Sequence, residues 1–259
     1  MLELLNISKC YNPGTVNENT IFKDFSLKLD RGNFLAIIGS NGSGKSSLLN
    51  LVCGNILADS GQVILDGKDV SRLPEHKRYV KLGRVFQDPS AGTCPDMTLL
   101  ENMALADNKN RPWNLTRAVD HKRLDYYREK LKLIGLGLEN KLHEVVGSFS
   151  GGERQAVALL MATMTPIDYL ILDEHTAALD PKAAELIMQL TENLVEEQAM
   201  TVLMVTHNLK HALTYGNRLI MLHQGKIIMD LEGRAKDELD LDDLLGKFFE
   251  ISIEVGNSI

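Results

Sequence analysis

The chain has 259 residues, 44% of them hydrophobic and 24% charged, the composition of an ordinary globular protein with room for one large domain or two packed subdomains. Thirty-five acidic against 28 basic side chains give a net charge of −7 and a pI near 5.5, so no nucleic-acid partner is expected, since such binders show a basic stripe. The longest apolar run, residues 156–162, is seven long against the roughly 18 that a membrane helix needs, and the N-terminus lacks the basic-then-apolar order of a secretory leader. Any membrane role is therefore expected to come through a partner. Cys10, Cys53 and Cys94 have no metal-ligand spacing and leave an odd one over, which fits reduced thiols in a cytosolic protein.

Residues 2–11 and 21–29 carry the partial alternation of half-buried antiparallel strands. Residues 34–38 are continuously apolar, as in a strand buried on both faces, and run straight into a glycine-rich turn followed by the helix-compatible 48–52. Residues 61–66 and 83–87 read as further strands. From about 88 to 166 the texture is helical, with candidates at 97–106, 116–136 and 153–164 and a polar loop at 107–114 that holds Trp113, the only tryptophan. Strands and helices then alternate: strand 169–172, helix 181–197 opened by Pro181, strand 201–205, helix 208–215, and strands 218–223 and 226–231 around Gln224-Gly225. The pattern predicts a mixed α/β core with a helical insertion. In the acidic tail, Leu241, Leu244, Leu245, Phe248 and Phe249 fall at helical spacing and are expected to pack on the body.

Three segments carry chemistry. Gly39-Ser40-Asn41-Gly42-Ser43-Gly44-Lys45-Ser46-Ser47 matches the phosphate-loop pattern. Its glycines let backbone N–H groups close on phosphate oxygens, and the following helix adds its positive end. There Lys45 would offset phosphate charge and the Ser46 hydroxyl would hold Mg²⁺. The strand at 169–172 ends in Asp173-Glu174. In a phosphate-loop protein the first acid suits the Mg²⁺ shell and the second suits orientation of an attacking water. Finally, Ser150-Gly151-Gly152 stands before a helix, a second possible phosphate cradle, 105 residues after Lys45 and 23 before Asp173.

In that order the elements resemble the ATPase subunit of the ATP-binding cassette superfamily, from Tyr11 to about Gly233. The usual signature Leu-Ser-Gly-Gly-Gln is here Phe149-Ser150-Gly151-Gly152-Glu153. The resemblance implies an α/β fold: a P-loop NTPase core with mixed sheet (1–87 and 167–233), an antiparallel β subdomain, an inserted α-helical subdomain (88–166) and a C-terminal helical tail (234–259). It implies ATP and Mg²⁺ as cofactors, Tyr11 stacked on adenine, and Gln87 reaching Mg²⁺ and the attacking water while its loop touches a transmembrane partner. Glu174 becomes the catalytic carboxylate, Asp180 part of the loop facing across a dimer, and His207 the switch contacting the γ-phosphate. Two copies would pair head to tail, each ATP lying between one phosphate loop and the other copy's Ser150-Gly151-Gly152. Transmembrane permease subunits would place the chain at the cytoplasmic face of the cell membrane.

Two departures narrow the resemblance. His175 replaces the usual proline or alanine after the glutamate, and Asn12-Pro13-Gly14-Thr15-Val16 lengthens the loop after Tyr11. Both look like bacterial importers served by an extracytoplasmic substrate-binding lipoprotein, with amino-acid-type cargo. No second ligand stands at a metal-binding spacing from His175, so a packing role is expected for it. The alternatives are an exporter ATPase and a soluble cassette in repair, translation or cluster assembly, though the coiled coils and tandem ATPase units of such proteins are missing here. A simple P-loop kinase or GTPase would leave Ser150-Gly151-Gly152 and His207 without a purpose.

Overall fold

The computed structural model describes residues 1–112 and 118–256, the side chains of 249–256 excepted. Its strands are β1 (Leu2–Tyr11), β2 (Asn19–Leu29), β3 (Phe34–Gly39), β4 (Ser60–Leu65), β5 (Lys68–Asp69), β6 (Leu82–Val85), β7 (Tyr169–Asp173), β8 (Thr201–Val205), β9 (Arg218–His223) and β10 (Lys226–Glu232). Its helices are α1 (Lys45–Cys53), α2 (Glu75–Arg78), α3 (Leu99–Asp107), α4 (Leu124–Lys132), α5 (Gly151–Thr163), α6 (Pro181–Gln198), α7 (Leu209–Thr214), α8 (Arg234–Asp237) and α9 (Leu241–Gly256). They divide into two compact units, Met1–Tyr79 with Met200–Ile259, and Val80–Ala199.

The first unit holds an antiparallel sheet, β2-β1-β4-β5. Leu2 and Leu4 of β1 face Leu29 and Leu27 on one side and Leu65 and Val63 on the other, and all six are buried. Alternation thus gives this sheet one apolar face. In the same unit β3 lies between β8 and β9, parallel to both, and β9 turns back antiparallel into β10. All six residues of β3 and all five of β8 are buried, in keeping with the continuous apolar run at 34–38. Helix α1 ends on Gly54 at φ +85°, whose N–H returns to the Asn50 carbonyl. Two further carbonyls of its last turn, those of Leu51 and Val52, are taken by Arg78. That guanidinium, 2% exposed, donates to Leu51 O at 2.7 Å, Val52 O at 3.1 Å, Ser71 O at 3.1 Å and Leu73 O at 3.2 Å.

In the second unit β6 and β7 form a parallel pair, Leu82 opposite Tyr169 and Val85 opposite Leu172. Helix α3 opens with a capping box between Thr98 and Glu101. Helix α6 starts at Pro181 behind Asp180, whose carboxylate accepts from the Lys182 and Ala183 amides. Buried Asp107 joins α3 to α4, paired with Arg111 and Arg123 and accepting from the Tyr127 hydroxyl at 3.1 Å. Burial, with the Asp107 charge beside it, pushes that phenol up to about 12.

The helix expected over 116–136 is shorter. Residues 113–117, Trp113 and Thr116 among them, lie outside the described residues. The Asp120 carboxylate takes the Lys122 amide to start a 3₁₀ turn, His121–Arg123, ahead of α4. Past α4, Gly135 and Gly137 stand at φ +73° and +72° and stop any continuation. The short elements β5 and α2 carry too few residues to show a period and were not foreseen. The tail forms α9, where Leu244 is fully buried while Leu241, at the first helical position, is 41% exposed. Among the described residues no helix is long and apolar enough to cross a membrane.

Arg78→Ala should therefore lower stability by about 2–4 kcal/mol, read from denaturant unfolding. Arg78→Lys should recover less than half of the loss, because one ammonium cannot span carbonyls that a planar fork reaches together.

Candidate functional site

The glycine-rich turn leaves the end of β3 in the first unit. Gly39, at φ +153°, has no room for a side chain: a Cβ would overlap the Leu222 carbonyl oxygen of β9 and stand 2.9 Å from Ser43 Oγ. Gly44, at φ +104°, lies against β2, where a Cβ would come 2.9 Å from the Phe22 ring. The loop bends back so that Lys45 Nζ donates to the carbonyls of Gly39 at 2.8 Å and Ser40 at 3.0 Å. Lys45 is 5% exposed, so its ammonium is held within the curve of the loop.

These residues fit a polyphosphate with Mg²⁺. Helix α1 has Gly44 as N-cap with no side-chain bond and no acid in its first turn, so no side chain competes for its leading N–H groups. Ser43 Oγ is buried and has no protein partner. Asn41, Gly42 and Ser46 are exposed, Ser40 and Ser47 half-buried, so the Ser46 hydroxyl is open to a ligand.

His207 and Tyr11 belong to the same unit. Ile37 pairs with Val205 and the Thr206 amide donates to the Ile37 carbonyl. His207 therefore leaves β8 at the edge where β3 enters the loop. It is exposed, between Thr206, whose Oγ1 accepts from the Asn208 amide, and Asn208, which caps α7. Tyr11 ends β1 opposite Asn19, half-buried, with Lys9 Nζ 5.6 Å from its ring centroid. Asn19 opens β2, the strand whose Ile21 and Phe22 flank Gly44.

In the second unit the register of β6 on β7 brings Gln87, Asp173 and Glu174 to one edge. Gln87 is exposed in the bend after β6. Asp173 Oδ2 accepts from Arg84 Nη2 at 2.7 Å, with Arg84 only 6% and Asp173 17% exposed. The guanidinium also stands 4.7 Å from the Phe86 ring. The acid expected in the Mg²⁺ shell is thus already oriented and charge-balanced by its own strand neighbour. Glu174 is half-buried at φ +48°, a left-handed backbone that costs a β-carbon residue about 1 kcal/mol or more. His175 is 2% exposed, with Nε2 3.5 Å from Thr191 Oγ1 of α6.

Ser150 caps α5, its Oγ accepting from the Glu153 amide while Glu153 Oε2 accepts from the Ser150 amide. Ser150, Gly151 and Gly152 share a groove of about 650 Å³ with Leu179, Asp180 and Ala183. A Cβ on Gly152 would come 3.1 Å from that of Ala183, so the two segments stand in close contact. Further along α5, Gln155 Nε2 donates to the Phe86 carbonyl at 3.1 Å, tying this helix to the bend that carries Gln87.

Three residues at these places escaped the sequence reading: Arg84, Gln155 and Lys141, whose ammonium pairs with Glu153. Only Arg84 left a signal, a charged residue inside an otherwise apolar strand.

The ABC transporter family matches residues 22–177. The tyrosine transport ATP-binding protein of Clostridioides difficile (strain R20291) is 46% identical over 248 residues, which is 96% of this chain and 98% of that one. The spermidine/putrescine import ATP-binding protein PotA of Aggregatibacter actinomycetemcomitans is 33% identical over 89% of this chain, which spans 57% of that relative. Among solved structures, the dimeric ATP-binding cassette MJ0796 in a post-hydrolysis state bound to ADP and Pi superposes with TM-score 0.77 at 32% identity, covering 90% of this chain and 99% of that one. The ADP conformation of the cassette MJ1267 gives 0.80 at 26% identity, covering 98% of each chain.

Gly39→Ala should cost about 3 kcal/mol or more and abolish binding of a fluorescent ATP analogue, because the loop cannot close past the Leu222 carbonyl. Gly42→Ala meets nothing within 4 Å, and its φ of +78° alone should cost about 1 kcal/mol. Thermal unfolding and nucleotide titration separate the two variants.

Proposed function

This chain belongs to the ABC transporter family and is an ATP hydrolase that works on ATP with Mg²⁺; from that premise we propose that it energises a membrane importer of amino-acid-type small molecules. The observation that carries the transport reading is the 46% identity to a tyrosine transport ATP-binding protein over nearly the full length of both chains, and the inward direction rests on the 33% identity to a spermidine/putrescine import ATP-binding protein. Amino-acid-type cargo rests on the tyrosine transport relative.

The proposed roles follow the motifs residue by residue. Gly39 to Ser47 wrap the phosphates through backbone N–H groups, and Lys45 moves its ammonium from loop carbonyls to phosphate oxygen. Ser46, Gln87 and Asp173 would hold Mg²⁺, which when bound offsets the charge on the phosphate oxygens. Tyr11 stacks on the adenine. Glu174 orients and accepts a proton from water, and His207 supports the terminal phosphate. Ser150, Gly151, Gly152 and Asp180 face the nucleotide of a second copy paired head to tail.

Residues 88–166 would act as a helical subdomain on a core of 1–87 and 167–233, with Gln87 at the hinge. That arrangement makes the hinge the natural receiver for a permease subunit, and it places the chain peripherally at the cytoplasmic face of the membrane. An extracytoplasmic substrate-binding protein would complete the importer. Closure on ATP then biases the permease through contacts made only in the closed dimer.

Glu174→Gln should stop turnover while Mg-ATP still drives dimerisation, seen as a stable dimer on size-exclusion chromatography. Turnover near the wild-type rate would remove Glu174 from its role. Gln87→Ala should lose most of the ATPase stimulation that cargo-loaded binding protein gives the reconstituted complex. Full stimulation would move the coupling elsewhere, and failure to co-purify with any membrane protein would overturn the transporter reading.

A further inference from the structure

The signature turn departs from the usual family pattern at Phe149 and Glu153, and a single side chain answers both departures. Glu153 is the third residue of α5, in the first turn, where N–H groups and the helix dipole favour an anion. Its carboxylate takes part of that favour for itself and repels a second anion brought to the same end. Glutamine would not. The carboxylate lines the groove that also contains Ser150, Gly151 and Gly152, so its charge bears on whatever binds there.

Lys141 stands just past a 3₁₀ turn, Leu138–Asn140. Its Nζ donates to Glu153 Oε1 at 2.7 Å and lies 5.4 Å from the centroid of the Phe149 ring. The other carboxylate oxygen of Glu153 is occupied by the Ser150 amide at 2.8 Å. The hydrogen bond to Lys141 is the main cause holding Glu153 below the usual carboxylate range, and the same bond holds Lys141 above its ordinary value. Lys141 and Glu153 are 33% and 18% exposed, so the pair is reached by solvent, and Glu153 is the member that lines the groove.

We propose that Lys141 is a positioning residue of the signature turn: by balancing Glu153 and seating Phe149, it lets the Ser150-Gly151-Gly152 end of α5 accept the triphosphate carried by a second copy. The inference rests on the head-to-tail reading above and deepens it. Phenylalanine supplies the face over which the ammonium is held, glutamate supplies the capping carboxylate, and lysine returns the local charge to zero.

The test uses the full chain with Glu174→Gln, so that ATP is not consumed, and follows ATP-driven dimerisation by analytical ultracentrifugation. Lys141→Met keeps the aliphatic stem and removes the charge; it should raise the ATP concentration for half-dimerisation roughly tenfold. Lys141→Arg should restore dimerisation, and so should Lys141→Met combined with Glu153→Gln, which removes both charges. Raising salt from about 50 to about 500 mM should narrow the gap between Lys141→Met and its parent, since the penalty is exposed charge repulsion, whereas a packing defect would not respond. Lys141→Met dimerising like its parent, or no rescue by Glu153→Gln, overturns the inference alone. Gly151→Asp is the separate control for the parent reading: a Cβ there meets only Leu179 Cδ2 at 3.6 Å, so the monomer tolerates it, while its charge blocks the anion. If Gly151→Asp dimerises normally, or if the Glu174→Gln protein forms no ATP-driven dimer, the head-to-tail reading falls and takes the inference with it.

Discussion

Backbone meets backbone at the end of β3, and the rest of the first unit is arranged around that contact. Gly39 lies so close to the Leu222 carbonyl that only a missing side chain permits it. The same closeness recurs at Gly225, in the turn between β9 and β10, where a Cβ would overlap the Ile21 carbonyl oxygen of β2. The Gly225 amide donates to the Ser43 carbonyl at 3.1 Å. The loop is thus gripped by β9 at its start, by the β9–β10 turn in its middle and by the Phe22 ring at Gly44. Three points of contact fix a curve whose amides would otherwise sample many directions, and the ordering cost is met during folding rather than on binding.

Charge is used in two different ways in this acidic chain. Several buried cations serve carbonyls: Lys45 those of its own loop, Arg78 the end of α1, and Lys236 the carbonyls of Tyr215 and Gly216 after α7. Helix ends and turns leave acceptors that no backbone donor reaches, and a long basic side chain brings several N–H groups to them. In the second unit Arg84 and Lys141 instead pair with acids, Asp173 and Glu153.

Much of this was legible in the residue order. Buried parallel strands announce themselves as apolar runs, so β3, β7 and β8 were placed within one or two residues of their observed ends. The glycine turn and Asp173-Glu174 followed because their spacing to those strands is rigid. What stayed hidden depends on contacts between distant residues. Nothing within a few positions of Lys141 points to Glu153, and Arg84 finds Asp173 only through the register of two strands 89 residues apart in sequence. Local competition also misled: the helical spacing read over 116–136 holds only from Leu124 to Lys132, because Asp120 first closes a turn with its own side chain. Conversely, His175 has the look of a ligand and is a packed residue, and the lack of a spaced second ligand was enough to read it.

The stretch from Glu174 to Asp180 joins the two halves of the candidate chemistry in the second unit. Glu174 holds a left-handed backbone, and its carbonyl accepts from the Ala177 amide at 2.9 Å; Leu179 then bonds back to Thr176. His175 and Thr176 are buried, so the turn is anchored from beneath, and His175 meets α6 at Thr191. Asp180 ends it by capping α6, with Leu179 against Gly151 and Ala183 against Gly152 of α5. Only three residues, 175–177, therefore separate the left-handed backbone of Glu174 from Ala178, where the lining of the groove at the signature turn begins. A strained φ is retained only where surrounding contacts over-determine it. The same contacts leave Glu174 little freedom to shift without carrying Asp180 and the face of α5 with it.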